Sequence, residues 1–83
     1  MFTGFVLINC ETSHVNYVIE QLKKIDTVKE IQGMFGIYDI IIKIKVDDKD
    51  IFTKIISVQI RTIDKLKSTL TLMVSNPEGD YLE

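Results

Sequence analysis

The sequence predicts an α+β fold in which strands and helices follow one another in the order β-α-β-β-α-β. Alternating apolar side chains mark four strand segments, two stretches with apolar residues at helical spacing separate them, and a glycine-containing turn joins the second strand to the third. With right-handed crossovers, this order gives the ferredoxin-like sandwich, in which both helices cover one face of an antiparallel sheet.

The first strand is predicted over Phe2–Cys10, where apolar residues occur on both alternating faces. This pattern is typical of a strand that is buried from both sides. Apolar residues then recur at helical spacing, which predicts a helix over His14–Lys24 with Thr12 or Ser13 as its N-cap.

Val28–Phe35 is predicted as the second strand and Tyr38–Val46 as the third, with a turn at Gly36 between them. Glycine suits this turn because it takes positive φ angles at little cost. The charged and polar positions of the second strand are typical of an edge. The third strand has one wholly apolar face and a second face that changes from apolar to charged, which indicates a central strand.

The last two elements follow a charged break. Asp47 or Asp48 is predicted to cap a second helix, whose apolar residues recur at helical spacing over Ile51–Ile63. Leu66–Ser75 is predicted as the fourth strand, which ends before a proline because proline cannot donate to a sheet ladder.

Composition indicates one small globular domain over residues 1–75 and a flexible tail over residues 76–83. The 83 residues are 46% hydrophobic and 27% charged, and the net charge is −2 with the basic residues scattered among acids. The lack of a basic stripe argues against direct nucleic-acid binding. No apolar run approaches the roughly 20 residues of a membrane span. A single cysteine and the lack of a signal peptide predict a cytoplasmic protein.

The other reactive residue types predict neither catalysis nor a metal or cofactor site. His14 has no cysteine or aspartate at ligand spacing, so a surface position is the better interpretation. Cys10 has no neighbouring base or second cysteine, which favours a small buried apolar residue. The aspartates of Asp47–Asp50 lack the glycine and closing glutamate of a calcium loop and are interpreted as a solvated helix cap.

One face of the predicted sheet is left without a helix. Ile40, Ile42, Ile44, Leu70, Leu72 and Val74 are assigned to the helix-facing side. The open side is then assigned Phe5, Leu7, Ile41 and Met73, beside Thr69, Thr71 and Lys43. An exposed apolar patch usually marks an interface, and covering several hundred Å² at about 25 cal/mol per Å² is worth several kcal/mol. We therefore predict a homodimer that joins the open faces of two sheets.

Two short motifs give the chain a family resemblance. Gly36-Ile37-Tyr38-Asp39 matches a Gly-x-Tyr-Asp turn before an apolar strand, and Ser68-Thr69-Leu70-Thr71-Leu72 matches a Thr-x-Thr pattern in the last strand. With these motifs in a β-α-β-β-α-β chain, Thr3–Val74 resembles the Lrp/AsnC effector-binding domain, also called the RAM domain, of the dimeric α+β barrel type. Met1 leads directly into the first strand, so the resemblance is to a stand-alone form without the family's helix-turn-helix DNA-binding domain.

The resemblance implies a regulatory domain that binds a free amino acid and acts in transcriptional or amino-acid-responsive control through partners, without contacting DNA itself. Relatives bind amino acids where the Gly-x-Tyr-Asp loop meets neighbouring subunits. They form dimers that assemble into octamers or similar rings, and mixed assembly with full-length Lrp/AsnC proteins is a further expectation. Carried over by motif, the candidate ligand-binding residues are Gly36, Tyr38, Asp39, Thr69 and Thr71.

These residue types suit a zwitterion. Asp39 can accept hydrogen bonds from an ammonium group, while backbone amides at Gly36 and the hydroxyls of Thr69 or Thr71 can donate to a carboxylate. Ile37 stands where relatives often have a polar or acidic residue, which favours an apolar or aromatic amino acid as the ligand.

Several alternatives stay open at this point. Gly36–Asp39 also suits a plain hairpin turn, and Thr69 and Thr71 suit ordinary strand positions. The chain can also be an oligomerisation module without a ligand, or a dimeric α+β barrel enzyme, although His14 lies off the sheet. An ACT-type amino-acid domain usually binds at a glycine after the first strand, and the segment Asn9–Thr12 has none. Fold alone decides between none of these.

Overall fold

The computed structural model describes residues 2–74, which form the predicted α+β, ferredoxin-like arrangement. The strands are β1 (Phe2–Cys10), β2 (Val28–Gly33), β3 (Ile40–Val46) and β4 (Leu66–Val74). The helices are α1 (Val15–Leu22), which follows a 3-10 turn at Thr12–His14, and α2 (Lys49–Lys54), which continues as a π-helical segment over Ile55–Ile60. The tail predicted over residues 76–83 lies outside the described residues.

The strands form one antiparallel sheet in the order β2-β3-β1-β4, with the two most apolar strands in the centre as predicted. Val6 of β1 lies opposite Ile42 of β3 and opposite Thr71 of β4. Directly opposite residues of antiparallel strands point to the same face, so these side chains all lie on one side of the sheet. Both helices cover that side.

The core lies between this sheet face and the helices. The fully buried side chains are Val6, Ile8, Val18, Leu22, Ile40, Ile42, Ile44, Phe52 and Ile60. β1 and α2 approach each other closely at Gly4, because a Cβ added there would clash with the ring of Phe52. Phe2 packs edge-on against the same ring, with 5.3 Å between the ring centroids. The missing side chain at Gly4 therefore lets an aromatic residue of α2 rest directly on β1.

The two helices begin in different ways. Asp48, one of the two predicted candidates, caps α2, since its Oδ1 accepts a hydrogen bond of 2.9 Å from the Ile51 N–H. The predicted side-chain cap of α1 is wrong: neither Thr12 nor Ser13 caps it, and the chain enters the helix through the 3-10 turn instead. In that turn the His14 N–H donates to the Glu11 carbonyl at 2.8 Å, so a backbone acceptor takes the place of a cap.

The side chains of β4 face opposite to the prediction. Thr71 and Met73 lie opposite Val6 and Gly4, on the helix-facing side, whereas Leu70 lies opposite Leu7 on the open side. Alternation along a strand divides its residues between two faces but does not show which face is buried. The prediction assigned the more apolar set to the buried face. The pairing of β4 with β1 reverses that choice.

Met73 therefore does not lie on the open face, where it was predicted as an interface residue. It lines a depression beside Phe52 on the helix-facing side, together with Thr71. Leu70 and Leu72 occupy the open face in its place.

None of the helices in residues 2–74 combines the length and hydrophobicity that a bilayer crossing requires.

Candidate functional site

The loop between β2 and β3, residues 34–39, is longer than the tight turn predicted and forms one wall of a cleft. Gly36 has a φ of +132°, a conformation that side chains rarely adopt, so a glycine is needed here. Phe35 and Ile37 on either side of it are 104% and 81% exposed. Two large apolar side chains thus project from the loop into solvent.

Three hydrogen bonds hold the C-terminal end of this loop. The Asp39 N–H donates to the Ile8 carbonyl at 2.9 Å, and the Asp39 carbonyl accepts from the Met34 N–H at 2.8 Å. Asp39 Oδ2 accepts a third bond of 3.0 Å from the Cys10 N–H. Asp39 therefore joins the loop to the end of β1 through both its backbone and its side chain.

The cleft has a volume of about 520 Å³ and lies between this loop and the start of α1. Small-molecule sites commonly have volumes of about 300–1,000 Å³. The segment before and within α1 contributes Thr12 and Val15 to the lining, and the end of β2 and the loop contribute Gly33, Met34, Phe35, Gly36 and Asp39. Among the described residues that line the cleft, Asp39 carries the one ionisable side chain. The cleft thus offers an anionic acceptor, a hydroxyl group and apolar surface.

Only some of the predicted ligand-binding residues lie together. Gly36 and Asp39 line the cleft, while Tyr38 is half-buried in the same loop and is not part of the lining. Thr71 and Thr69 lie across β1, in separate depressions of about 210 Å³ and 350 Å³ that also contain Arg61.

Within a single chain, the Gly-x-Tyr-Asp motif and the Thr-x-Thr motif therefore lie apart. Thr69 lies opposite Ile8 on the β4 side, and Asp39 is bonded to Ile8 on the β3 side. Two strand spacings, about 10 Å, separate their backbones.

Thr12 and Val15 were not predicted as site residues. Their residue types carry no signal, since the pattern indicates only a helix start and an apolar helix position. Topology provides the missing information. Because β1 runs antiparallel to β3, the last residues of β1 and the first residues of β3 lie at the same end of the sheet.

Cys10 lies next to the cleft but has the properties of a packing residue. It is buried, and burial is the main cause that raises the pKa of its thiol, with the nearby Asp39 carboxylate as the second cause. A raised pKa keeps the thiol protonated at neutral pH, and the protonated form is a poor nucleophile and metal ligand. Within residues 2–74, no group of three or more potential metal ligands is present.

The open face of the sheet carries a second feature, which we call the open-face patch and define as Phe5, Leu7, Ile41, Leu70 and Leu72. Leu70 and Leu72 are 45% and 49% exposed. At one margin, Lys43 forms an ion pair of 3.7 Å with Glu30 of β2. The structure thus places three of the four predicted interface residues in one apolar surface, which the two leucines of β4 enlarge.

Comparisons with known proteins agree with this architecture. The model of the Lrp/AsnC ligand binding domain family matches residues 3–78. The crystal structure of FFRP-DM1 is similar with 28% identity and a TM-score of 0.85, over 89% of this chain and 99% of that chain. The hypothetical protein PHS023 from Pyrococcus horikoshii has 28% identity and a TM-score of 0.84, over 89% of each chain.

AsnC from E. coli also has 28% identity and a TM-score of 0.84, over 90% of this chain and 51% of that chain. This chain thus spans about half the length of that regulator. Among curated protein sequences, none matches the chain significantly.

Proposed function

The chain belongs to the Lrp/AsnC ligand-binding domain family, and we propose that it binds a free amino acid in the cleft between loop 34–39 and α1. The family is regulatory, and the domain is not an enzyme. In this proposal the bound amino acid acts on transcription or on another amino-acid-responsive process through subunit contacts, without direct contact between this domain and DNA.

The observation that carries the proposal is the position of the Asp39 carboxylate. One of its oxygens accepts the bond from the Cys10 N–H. Within residues 2–74 the other oxygen, Oδ1, has no hydrogen-bond partner. It therefore offers a charge-assisted acceptor to an α-ammonium group.

The ligand carboxylate needs donors on the other side. The Thr12 hydroxyl and the backbone amides around Gly36 supply them in this proposal. Thr69 and Thr71 reach such a ligand only from a neighbouring subunit, because β1 separates them from the cleft in their own chain. Tyr38 is proposed to contact the ligand from the same loop as Asp39.

The proposed assembly begins with a homodimer through the open-face patch. Small domains bury a modest fraction of their surface, so covering five apolar side chains contributes substantially to stability. Exposed Phe35 and Ile37 are proposed to contact a further subunit, which would extend the dimer to an octamer or a similar ring. Mixed assembly with full-length Lrp/AsnC proteins is part of the same proposal.

Thermal unfolding in the presence of each of the twenty amino acids at millimolar concentration tests the binding function. A ligand at about 100 times its Kd stabilises the native state by about 2.7 kcal/mol, which gives a measurable shift in Tm. In Asp39→Asn the shift should disappear, since the amide keeps an oxygen for the Cys10 N–H but loses the charge. Asp47→Asn, at an exposed aspartate between β3 and α2, is the matched control and should keep the shift.

No shift with any amino acid would contradict the binding function. Together with a stable ring, that result would favour the alternative of an oligomerisation module without a ligand.

A further inference from the structure

Arg61 lies where two depressions beside β4 meet. It lines the depression of about 350 Å³ together with Thr69, and the depression of about 210 Å³ together with Thr71. Its backbone is held at the end of the π-helical segment, where the Arg61 N–H donates to the Ile56 carbonyl at 3.0 Å. Thr69 and Thr71 are half-buried and share one face of β4. The structure thus places one cationic side chain beside both threonines.

Arg61 differs from the nearby Lys67 in its ion pairs. Lys67 lines the same depression as Thr69, but its Nζ lies 3.9 Å from Glu11 Oε2. Arg61 is exposed and forms no ion pair within residues 2–74. Its planar guanidinium group can donate two parallel hydrogen bonds to a carboxylate. Of the two cations beside Thr69, Arg61 is therefore the one available to an anionic group.

The cleft lacks a cation of this kind. Among its described lining residues the one ionisable side chain is that of Asp39, and the donors proposed for the ligand carboxylate, Thr12 and backbone amides, are neutral. A free amino acid brings its own carboxylate close to Asp39, and like charges that share a site repel each other unless a cation balances them. Asp39 and Arg61 together match the two charges of a zwitterion, but β1 separates them within one chain.

We propose that Arg61 of a neighbouring subunit binds the α-carboxylate of the amino acid, so that two chains complete each site. Asp39 of one subunit accepts from the ammonium group, and Arg61 of the other donates to the carboxylate beside Thr69 and Thr71. This inference rests on the proposed amino-acid binding in the cleft between loop 34–39 and α1. It adds an anchoring residue that lies outside both sequence motifs, and it makes binding depend on assembly.

Paired ligands test the contact between Arg61 and the carboxylate. Isothermal titration compares each of the twenty amino acids that raises the Tm with its α-carboxamide, such as leucine with leucinamide. The amide keeps the ammonium group and the side chain but has no negative charge. In Arg61→Gln the acid should bind about ten- to hundredfold more weakly, the range expected for a lost hydrogen bond to a charged group. The Kd of the amide should stay nearly unchanged.

Lys67→Gln is the matched control, because it removes one positive charge from the same depression at a residue that is paired with Glu11. It should leave the Kd of the acid unchanged. Equal weakening in Lys67→Gln and Arg61→Gln would overturn the inference, since it would show a general effect of positive charge instead of a contact made by Arg61.

Mixed assemblies test whether the two residues come from different subunits. Asp39→Asn and Arg61→Gln chains are co-expressed with different tags and purified through both tags. Binding should recover at roughly a quarter to a half of the sites, because an intact Asp39 then meets an intact Arg61 of the other variant. Recovery also shows that both variant chains are folded. If the two residues acted within one chain, no mixed assembly would contain an intact site.

Two further results would overturn the inference: an unchanged affinity for the acid in Arg61→Gln, or no recovery of binding in the mixed assembly. In either case the unmodified chain still binds an amino acid and Asp39→Asn still abolishes that binding, so the proposed function stands while the role of Arg61 fails. A lack of binding of every amino acid to the unmodified chain overturns both.

Discussion

The Asp39 carboxylate accepts a 3.0 Å hydrogen bond from the backbone N–H of Cys10, and this bond joins the loop before β3 to the last residue of β1. β3 pairs with β1 only as far as Ile40 opposite Ile8, so the side chain takes the place of a strand partner that the ladder does not supply. The same carboxylate lines the cleft. In the proposed function, stability and ligand binding therefore depend on different oxygens of one side chain.

Two substitutions at Asp39 separate these roles. Asp39→Ala leaves the Cys10 N–H without a partner in a part-buried position, and we expect it to lower the free energy of unfolding by about 1–3 kcal/mol. Asp39→Asn keeps an acceptor oxygen and should retain most of that stability. Urea unfolding at neutral pH measures both variants. Equal losses in the two would show that the charge, rather than the hydrogen bond, stabilises the loop.

Neighbouring residues on β4 test the open-face patch. Leu72 lies on the open face and Met73 on the helix-facing side, and both are 49% exposed. Leu72→Glu places a carboxylate in the proposed dimer interface, where burying an unpaired charge is costly, and should dissociate the dimer. Met73→Glu should leave the dimer intact. Sedimentation equilibrium reads the oligomeric state, and dissociation of both variants or of neither would contradict the proposed interface.

The contact between Gly4 and Phe52 tests the packing of α2 on the sheet. Gly4→Ala forces a methyl group into the Phe52 ring and should destabilise the domain by about 1–3 kcal/mol. Phe52→Leu makes room, so the double variant should lose less stability than the two single losses added together. A double-mutant cycle measured by urea unfolding gives this coupling. If the two losses of stability simply add, the backbone shifts to accommodate the methyl group and the two residues are not coupled.

The thiol of Cys10 gives a pH dependence. Burial raises the pKa of this thiol in the folded state, so the folded chain holds the proton more tightly than the unfolded chain does. The resulting stability is fully present below the pKa of the unfolded thiol, about 8.5, and is lost as the pH rises through the higher pKa of the folded thiol.

Urea unfolding measures the free energy of unfolding of the unmodified chain and of Cys10→Ala between neutral and alkaline pH. The difference between the two isolates the contribution of the thiol from that of lysines and tyrosines. The unmodified chain should lose more stability than the variant as the pH rises. Parallel pH profiles would show that the thiol is not perturbed by folding. As a second readout, a thiol reagent at neutral pH should label Cys10 only after unfolding, because the side chain is buried.

The order of elements was predictable because it depends on local chemistry. Alternation marked β1 and β3 as the central strands, and their position in the sheet confirms this. Asp48 was recognisable as a cap because a carboxylate can accept from the free N–H groups of the first helical turn. Gly36 was recognisable because few other residues take its positive φ angle. Each of these rules acts within a few residues of the chain.

The faces of β4 and the composition of the cleft depend on contacts between distant segments. Alternation separates Leu70 and Leu72 from Thr69 and Thr71, but only pairing with β1 fixes which set faces the helices. Thr12 and Val15 meet Asp39 because antiparallel pairing brings the end of β1 beside the start of β3. Local residue preferences do not encode such long-range register, so the chain must fold before its open face and its cleft exist.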